Sequence, residues 1–136
     1  MTTVPEVFVF ERMLSDFAWH ADRGEGDSLA ALFLPDGRLT VGGKELEGRL
    51  EIAKDSRSRH SDPATKTRHV WSNLRIVQMD ADLVRTTAVQ LTFEQKGPDK
   101  PTQLRVNDLF DEFAKDAEGA WRFASRVISR EMALAI

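Results

Sequence analysis

The chain has 136 residues, 41% of them apolar, and its 19 Lys and Arg against 22 Asp and Glu leave a formal charge of −3. A globule of this length buries about 68% of the surface its open chain exposes, which suits one domain, expected over residues 1–136. No apolar run approaches the roughly 20 residues of a membrane span, and the opening MTTVPEVFVFERM lacks the basic region of a signal peptide. A soluble, cytoplasmic protein with no membrane partner is expected. The only basic cluster is Arg57-Ser58-Arg59-His60, so no nucleic-acid partner is expected either. With no cysteine there is no disulfide, thiolate nucleophile or Cys-ligated metal, and with no tyrosine there is no phenol to donate a proton.

Thr3-Val4-Pro5-Glu6 has the form of a capping box. Val7, Phe10, Leu14, Phe17, Ala18 and Ala21 follow at helical spacing, and Gly24 and Gly26 end that helix. Asp27 is placed to cap a second helix over Ser28 to Phe33. Asp36-Gly37 marks a turn before a short strand, Arg38 to Val41, and Gly42-Gly43 follows. Gly48 to Arg59 fits a third helix, expected mostly in solvent because Leu50, Ile52 and Ala53 are its only apolar residues. After Pro63 the period becomes two. Thr67 to Met79, Leu83 to Gln95, Gln103 to Phe113 and Ala120 to Glu131 read as four strands joined by short connectors, an antiparallel meander. Helices first and strands afterwards predict an α+β fold, a curved sheet wrapped around the N-terminal helices with a small-molecule pocket between them.

Three stretches carry a family likeness: Asp22-Arg23-Gly24 with Asp27-Ser28-Leu29-Ala30-Ala31-Leu32-Phe33, then Thr67-Arg68-His69-Val70-Trp71-Ser72-Asn73-Leu74, and last Gly119-Ala120-Trp121-Arg122-Phe123 with Arg126. In this order they resemble the nuclear transport factor 2-like superfamily, particularly its SnoaL-like branch of polyketide cyclase and dehydratase type. The resemblance implies a cone-shaped α+β roll. It also implies that Asp22 stands where catalytic members keep an acid, and His69 where dehydratases and dehydrochlorinases keep a histidine. The ketosteroid-isomerase and scytalone-dehydratase patterns need a tyrosine that this chain lacks. The superfold hosts many activities, so the likeness speaks to fold more than to function.

The residues themselves supply chemistry with alternatives attached. His69 is a candidate general base; the bland reading is a half-buried imidazole satisfied by a carbonyl. Strict alternation puts His69, Trp71, Asn73 and Arg75 on one face of their strand, a wall with a base, an indole and an amide. Asp22, at the border of the first helix's apolar stripe, either turns inward or stays solvated beside Arg23. His20, Asp22 and His69 contain the residue types of a two-His-one-carboxylate site, although the spacing demands no metal and none is expected. His60 reads as solvent-exposed. Asn73 or the Trp71 N–H suits an oxyanion, and Arg126 or Arg130 a ligand carboxylate or carbonyl oxygen, unless either pairs with Asp108 or Glu112. Phe17 and Phe110 are expected to line the pocket.

Three functions remain. The first is an acid–base lyase or isomerase without organic cofactor, in which Asp22 and His69 work on a small apolar, cyclic or aromatic molecule. The second is a binding or accessory protein with the same pocket. The third is a small subunit of a ring-hydroxylating dioxygenase, which needs a large partner because a cysteine-free chain cannot hold its Rieske centre. A homodimer through the sheet is expected in each case, on a face thought to carry Val84, Thr86, Ala88 and Thr92.

Overall fold

The computed structural model describes residues 5–136, so Thr3 of the capping box lies outside the described residues. Helix α1, Val7–Asp22, buries Phe10, Leu14, Phe17 and Ala18 of the stripe its spacing predicts, with Met13 in addition, while Val7 is exposed and Ala21 half-buried. Helix α2 is Gly26–Ala30. It starts earlier than expected because Asp27 turns its carboxylate to Arg57 (2.6 Å) and does not cap. Gly26 is required there: a Cβ would sit 2.6 Å from the Ala53 carbonyl oxygen.

Phe33 opens a strand and does not close the helix. Strand β1, Phe33–Val41, lies parallel to the last strand, with Phe33 opposite Phe123, so the sheet is not antiparallel throughout. Gly42 and Gly43 both have positive φ (59° and 77°), the geometry of a two-residue hairpin turn, and they launch a strand the sequence reading lacked, β2, Lys44–Glu47. Helix α3, Gly48–Ser58, is less solvated than expected: Ile52, Ala53 and Ser56 are buried while Leu50 is exposed.

The meander is β3, Lys66–Met79; β4, Leu83–Gln95; β5, Thr102–Lys115; and β6, Trp121–Ala135. One six-stranded sheet results, in the order β2-β1-β6-β5-β4-β3. Register shifts interrupt β3–β4 and β5–β6, and such bulges bend a sheet toward the helices it covers. The core between them is a chain of rings, Phe10, Phe113, Phe123, Phe33 and Phe17, with successive centroids 4.7–6.3 Å apart.

Two corrections concern faces. On β3, the register shifts between Ser72 and Arg75 and Asn73 adopts φ 58°, so the alternation reverses. Thr67, His69 and Trp71 turn inward, then Leu74 and Ile76, while Asn73 and Arg75 are exposed. On β4, Val84, Thr86, Ala88 and Thr92 are buried, so the outer face carries the other set, including Thr87, Val89, Leu91 and Phe93.

Candidate functional site

Asp22 ends α1, where the helix dipole disfavours a carboxylate. Three donors offset that cost: the His69 backbone N–H (3.0 Å to Oδ2), the Thr67 hydroxyl (3.2 Å to Oδ1) and His69 Nδ1 (2.5 Å to Oδ1). All three come from β3, the edge strand of the sheet, so α1 covers an edge that would otherwise present a free N–H. Arg23 is not the compensator. Its guanidinium stacks 3.3 Å above the Trp19 ring and donates to the Trp19 carbonyl.

The acid and the imidazole are therefore in contact, with side chains 4% and 17% exposed. A carboxylate on Nδ1 fixes the tautomer that carries its proton there. Nε2 is left with its lone pair and has no hydrogen-bond partner among the described residues. A base whose orientation is set on one side and whose other side is open can take a proton.

His69 stands where two chambers meet. The inner one, about 90 Å³, is mostly apolar: Phe17, Ala21, Leu29, Leu39 and Ile52 supply walls from α1, α2, β1 and α3. The outer one shares Val41, Arg59, His69, Thr92, Glu94, Arg105 and Ile128 with it and adds Gln90, Asn107 and Arg130. The outer chamber, about 540 Å³, has a size that suits a small organic molecule, and the inner one extends it as an apolar recess.

Of the candidate residues, Phe17 and His69 line this cavity, Asp22 stands behind His69 without lining it, and four others lie elsewhere. Asn73 and Phe110 line a shallow groove on the opposite face of the sheet, with Phe110 47% exposed. Trp71 gives its indole N–H to Ser15 (2.9 Å), which pins α1 to β3 and leaves no donor for a ligand. Arg126 forms a fully buried bidentate pair with Asp111 (2.8 and 3.0 Å), neither Asp108 nor Glu112, and its guanidinium lies between Phe17 and Phe123. Burial pushes the Asp111 carboxyl up, and Arg126 pulls it back down.

His20 turns to Glu25 (3.0 Å) and away from the other two. Among the described residues no group of three or more His, Cys, Asp or Glu side chains is placed to hold a metal ion. His60, expected in solvent, is half-buried at the inner chamber, with Nε2 3.1 Å from the Asp22 carbonyl oxygen and Nδ1 3.4 Å from that of Ser56. Sequence reasoning also missed Gln90 and Asn107 and set Thr92 on the outer face, whereas Arg130, its other candidate for a ligand carboxylate, does line the outer chamber. The signal for the missed residues was period-two placement on β4 and β5, readable only with the strand phase known.

Solved structures share this architecture. A candidate scytalone dehydratase from Novosphingobium aromaticivorans matches with TM-score 0.83 and 24% identity, covering 95% of this chain and 86% of that one. A type 2 hexachlorocyclohexane dehydrochlorinase, LinA, matches with TM-score 0.81 and 20% identity, covering 95% and 87%. At these identities the likeness shows the fold, a nuclear transport factor 2-like α+β roll. No curated protein matches the sequence. No described helix is long and apolar enough to cross a membrane. The family model described as SnoaL-like domain matches residues 11–127. The chain belongs to the SnoaL-like domain family.

Proposed function

We propose that the protein is an acid–base lyase or isomerase of dehydratase or cyclase type, acting on a small, largely apolar cyclic or aromatic molecule. The observation that carries this reading is the 2.5 Å contact of Asp22 with His69 Nδ1, which leaves Nε2 bare at a chamber wall. Nε2 takes a proton from a carbon activated by a neighbouring carbonyl. Asp22 balances the imidazolium. In a lyase the new C=C bond expels an oxygen on the next carbon, and the imidazolium returns its proton to that oxygen as water leaves. In an isomerase the proton returns to another carbon. Both cycles end with His69 neutral and need no oxidant or metal. The scytalone dehydratase and dehydrochlorinase names of the structural neighbours agree with a lyase.

A positioned base contributes roughly 10²–10⁴ in rate. The test needs no prior substrate: the protein is incubated in D₂O with cyclic ketones and β-hydroxy carbonyl compounds. Deuterium wash-in or water loss is followed by NMR. The wild type is expected to accelerate exchange or elimination for some members, and His69→Ala to lower that rate by about 10²–10⁴. Equal rates for the two proteins would falsify the catalytic role.

We place a second copy of the chain on the outer face of the sheet, where Val70, Phe110, Met132 and Leu134 are exposed apolar side chains on three strands. Light scattering at low concentration is expected to give twice the 15.4 kDa of one chain; a mass of one chain would remove the dimer.

A further inference from the structure

The outer chamber contains polar groups that the acid–base pair does not use. Strand register sets them in rows: Gln90 on β4 lies opposite Asn107 on β5, which lies opposite Arg130 on β6. Gln90 and Asn107 are 2% and 5% exposed, yet among the described residues neither side-chain amide has a hydrogen-bond partner, and both line the chamber. Amides that line a chamber and have no protein partner are open to a ligand that hydrogen-bonds them.

The charges around this shelf do not cancel. Arg59 is held by Asp55 (2.7 Å), which Lys44 also reaches from outside the chamber (3.5 Å), and Arg105 is held by Glu94 (3.2 Å). Arg130 also lines the chamber and forms no ion pair among the described residues. One uncompensated cation beside two amides matches one negative charge shared over two oxygens.

We propose that the natural substrate is a monocarboxylate: its carboxylate rests on Gln90, Asn107 and Arg130, and its apolar body lies in the outer chamber with one edge in the apolar inner recess. This inference rests on the catalytic reading above and narrows its substrate class. His69 lies opposite Thr92, one inward-facing position along β4 from Gln90, or about 7 Å of strand. A molecule anchored at the shelf therefore presents to Nε2 the carbons near its carboxyl end.

The experiment measures binding alone, so it stands apart from any failure of catalysis. Calorimetric titration of the full chain compares 2-naphthoate with its neutral analogue 2-naphthamide. The carboxylate is expected to bind at least about tenfold more tightly, with an advantage that shrinks as salt rises. Arg130→Gln, a change at an exposed residue, is expected to bring the two affinities within about twofold while naphthamide binding is retained. Gln90→Leu is expected to weaken the carboxylate more than the amide. Equal affinities in the wild type, an advantage that survives Arg130→Gln, or no binding of either compound at millimolar concentration would each overturn the proposal. If the carboxylate preference appears but deuterium wash-in does not, the shelf stands and the catalytic reading fails.

Discussion

His60 Nε2 lies 3.1 Å from the carbonyl oxygen of Asp22, so the segment after α3 steadies the residue that steadies His69. The contact spans 38 positions in sequence and closes the inner chamber from the side opposite the sheet. His60→Ala is expected to cost about 1 kcal/mol, near 4 °C in Tm for a domain of this size. It should also broaden the His69 ring resonances, since the end of α1 loses its brace. A loss of stability with unchanged His69 signals would confine His60 to packing.

The tautomer is the next point. With Asp22 ionised, its carboxylate accepts from Nδ1 and leaves Nε2 free. Asp22→Asn keeps the shape but offers an N–H of its own, which allows the ring to reverse its proton. Long-range proton–nitrogen NMR is expected to find Nδ1–H at His69 in the wild type and a larger Nε2–H population in Asp22→Asn. A base with its lone pair turned away cannot act, so any exchange rate His69 supports should fall by about 10²–10⁴ with little loss of fold. Nε2–H in the wild type would sink the proposed roles of both residues.

Arg126 and Asp111 make a different kind of pair, with both side chains 0% exposed. Their mutual attraction offsets a large desolvation cost, so breaking the pair is costly and replacing it is not. Arg126→Met alone is expected to cost about 3–5 kcal/mol because it strands the Asp111 carboxylate; the double change Asp111→Leu with Arg126→Met should recover most of that. Urea denaturation of the four proteins measures the coupling. Additive losses would mean that the pair acts as two independent packing residues.

Asp116 sets an acid limit at the turn between β5 and β6. Its carboxylate accepts from the Ala120 and Glu118 N–H groups and from Arg122, which together hold its pKa below the usual value. For a group lowered on folding, the stability it adds is complete above the unfolded value and is lost as pH falls through the folded one. Its share should thus persist at mildly acidic pH and disappear below the ordinary carboxylate range. Asp116→Asn is expected to flatten that limb of a stability-versus-pH curve and to leave its shape at neutral pH unchanged.

How much of this could be read from the chain depends on whether the signal was local. The helical stripe from Phe10 to Phe17 and the bounds of β4 follow from spacing within one element. Strand β1 was cut short because Phe33 looks like the end of a helix until its partner Phe123, 90 positions on, is known. The meeting of Asp22 with His69 was suggested by family likeness, not by periodicity, since the register between α1 and an edge strand leaves no local trace. The wrong phase on β4 inverted the reading of its two faces, since a one-residue slip exchanges every side chain. The shelf of Gln90 and Asn107 was hidden for the same reason.

Asn73 shows the effect of one such slip. Its φ of 58° is the left-handed region, which Asn tolerates better than most residues and β-branched ones tolerate poorly. There the ladder of β3 loses its regular pairing with β4 and the next residues change face, bringing Leu74 and Ile76 onto the core, until a second register shift between Ile76 and Gln78 turns Met79 inward. Asn73→Gly is expected to be neutral within about 0.5 kcal/mol, because glycine enters this region freely. Asn73→Val must either adopt the conformation at a cost of about 1–2 kcal/mol or remove the bulge and expose Leu74. Thermal melts separate Gly from Val. Hydrogen exchange over β3 separates strain, which leaves protection intact, from a register shift, which lowers it from residue 74 onward. If Val proves as stable as Asn, the bulge is fixed by the packing of Leu74 and Ile76, and the residue at position 73 does not determine it.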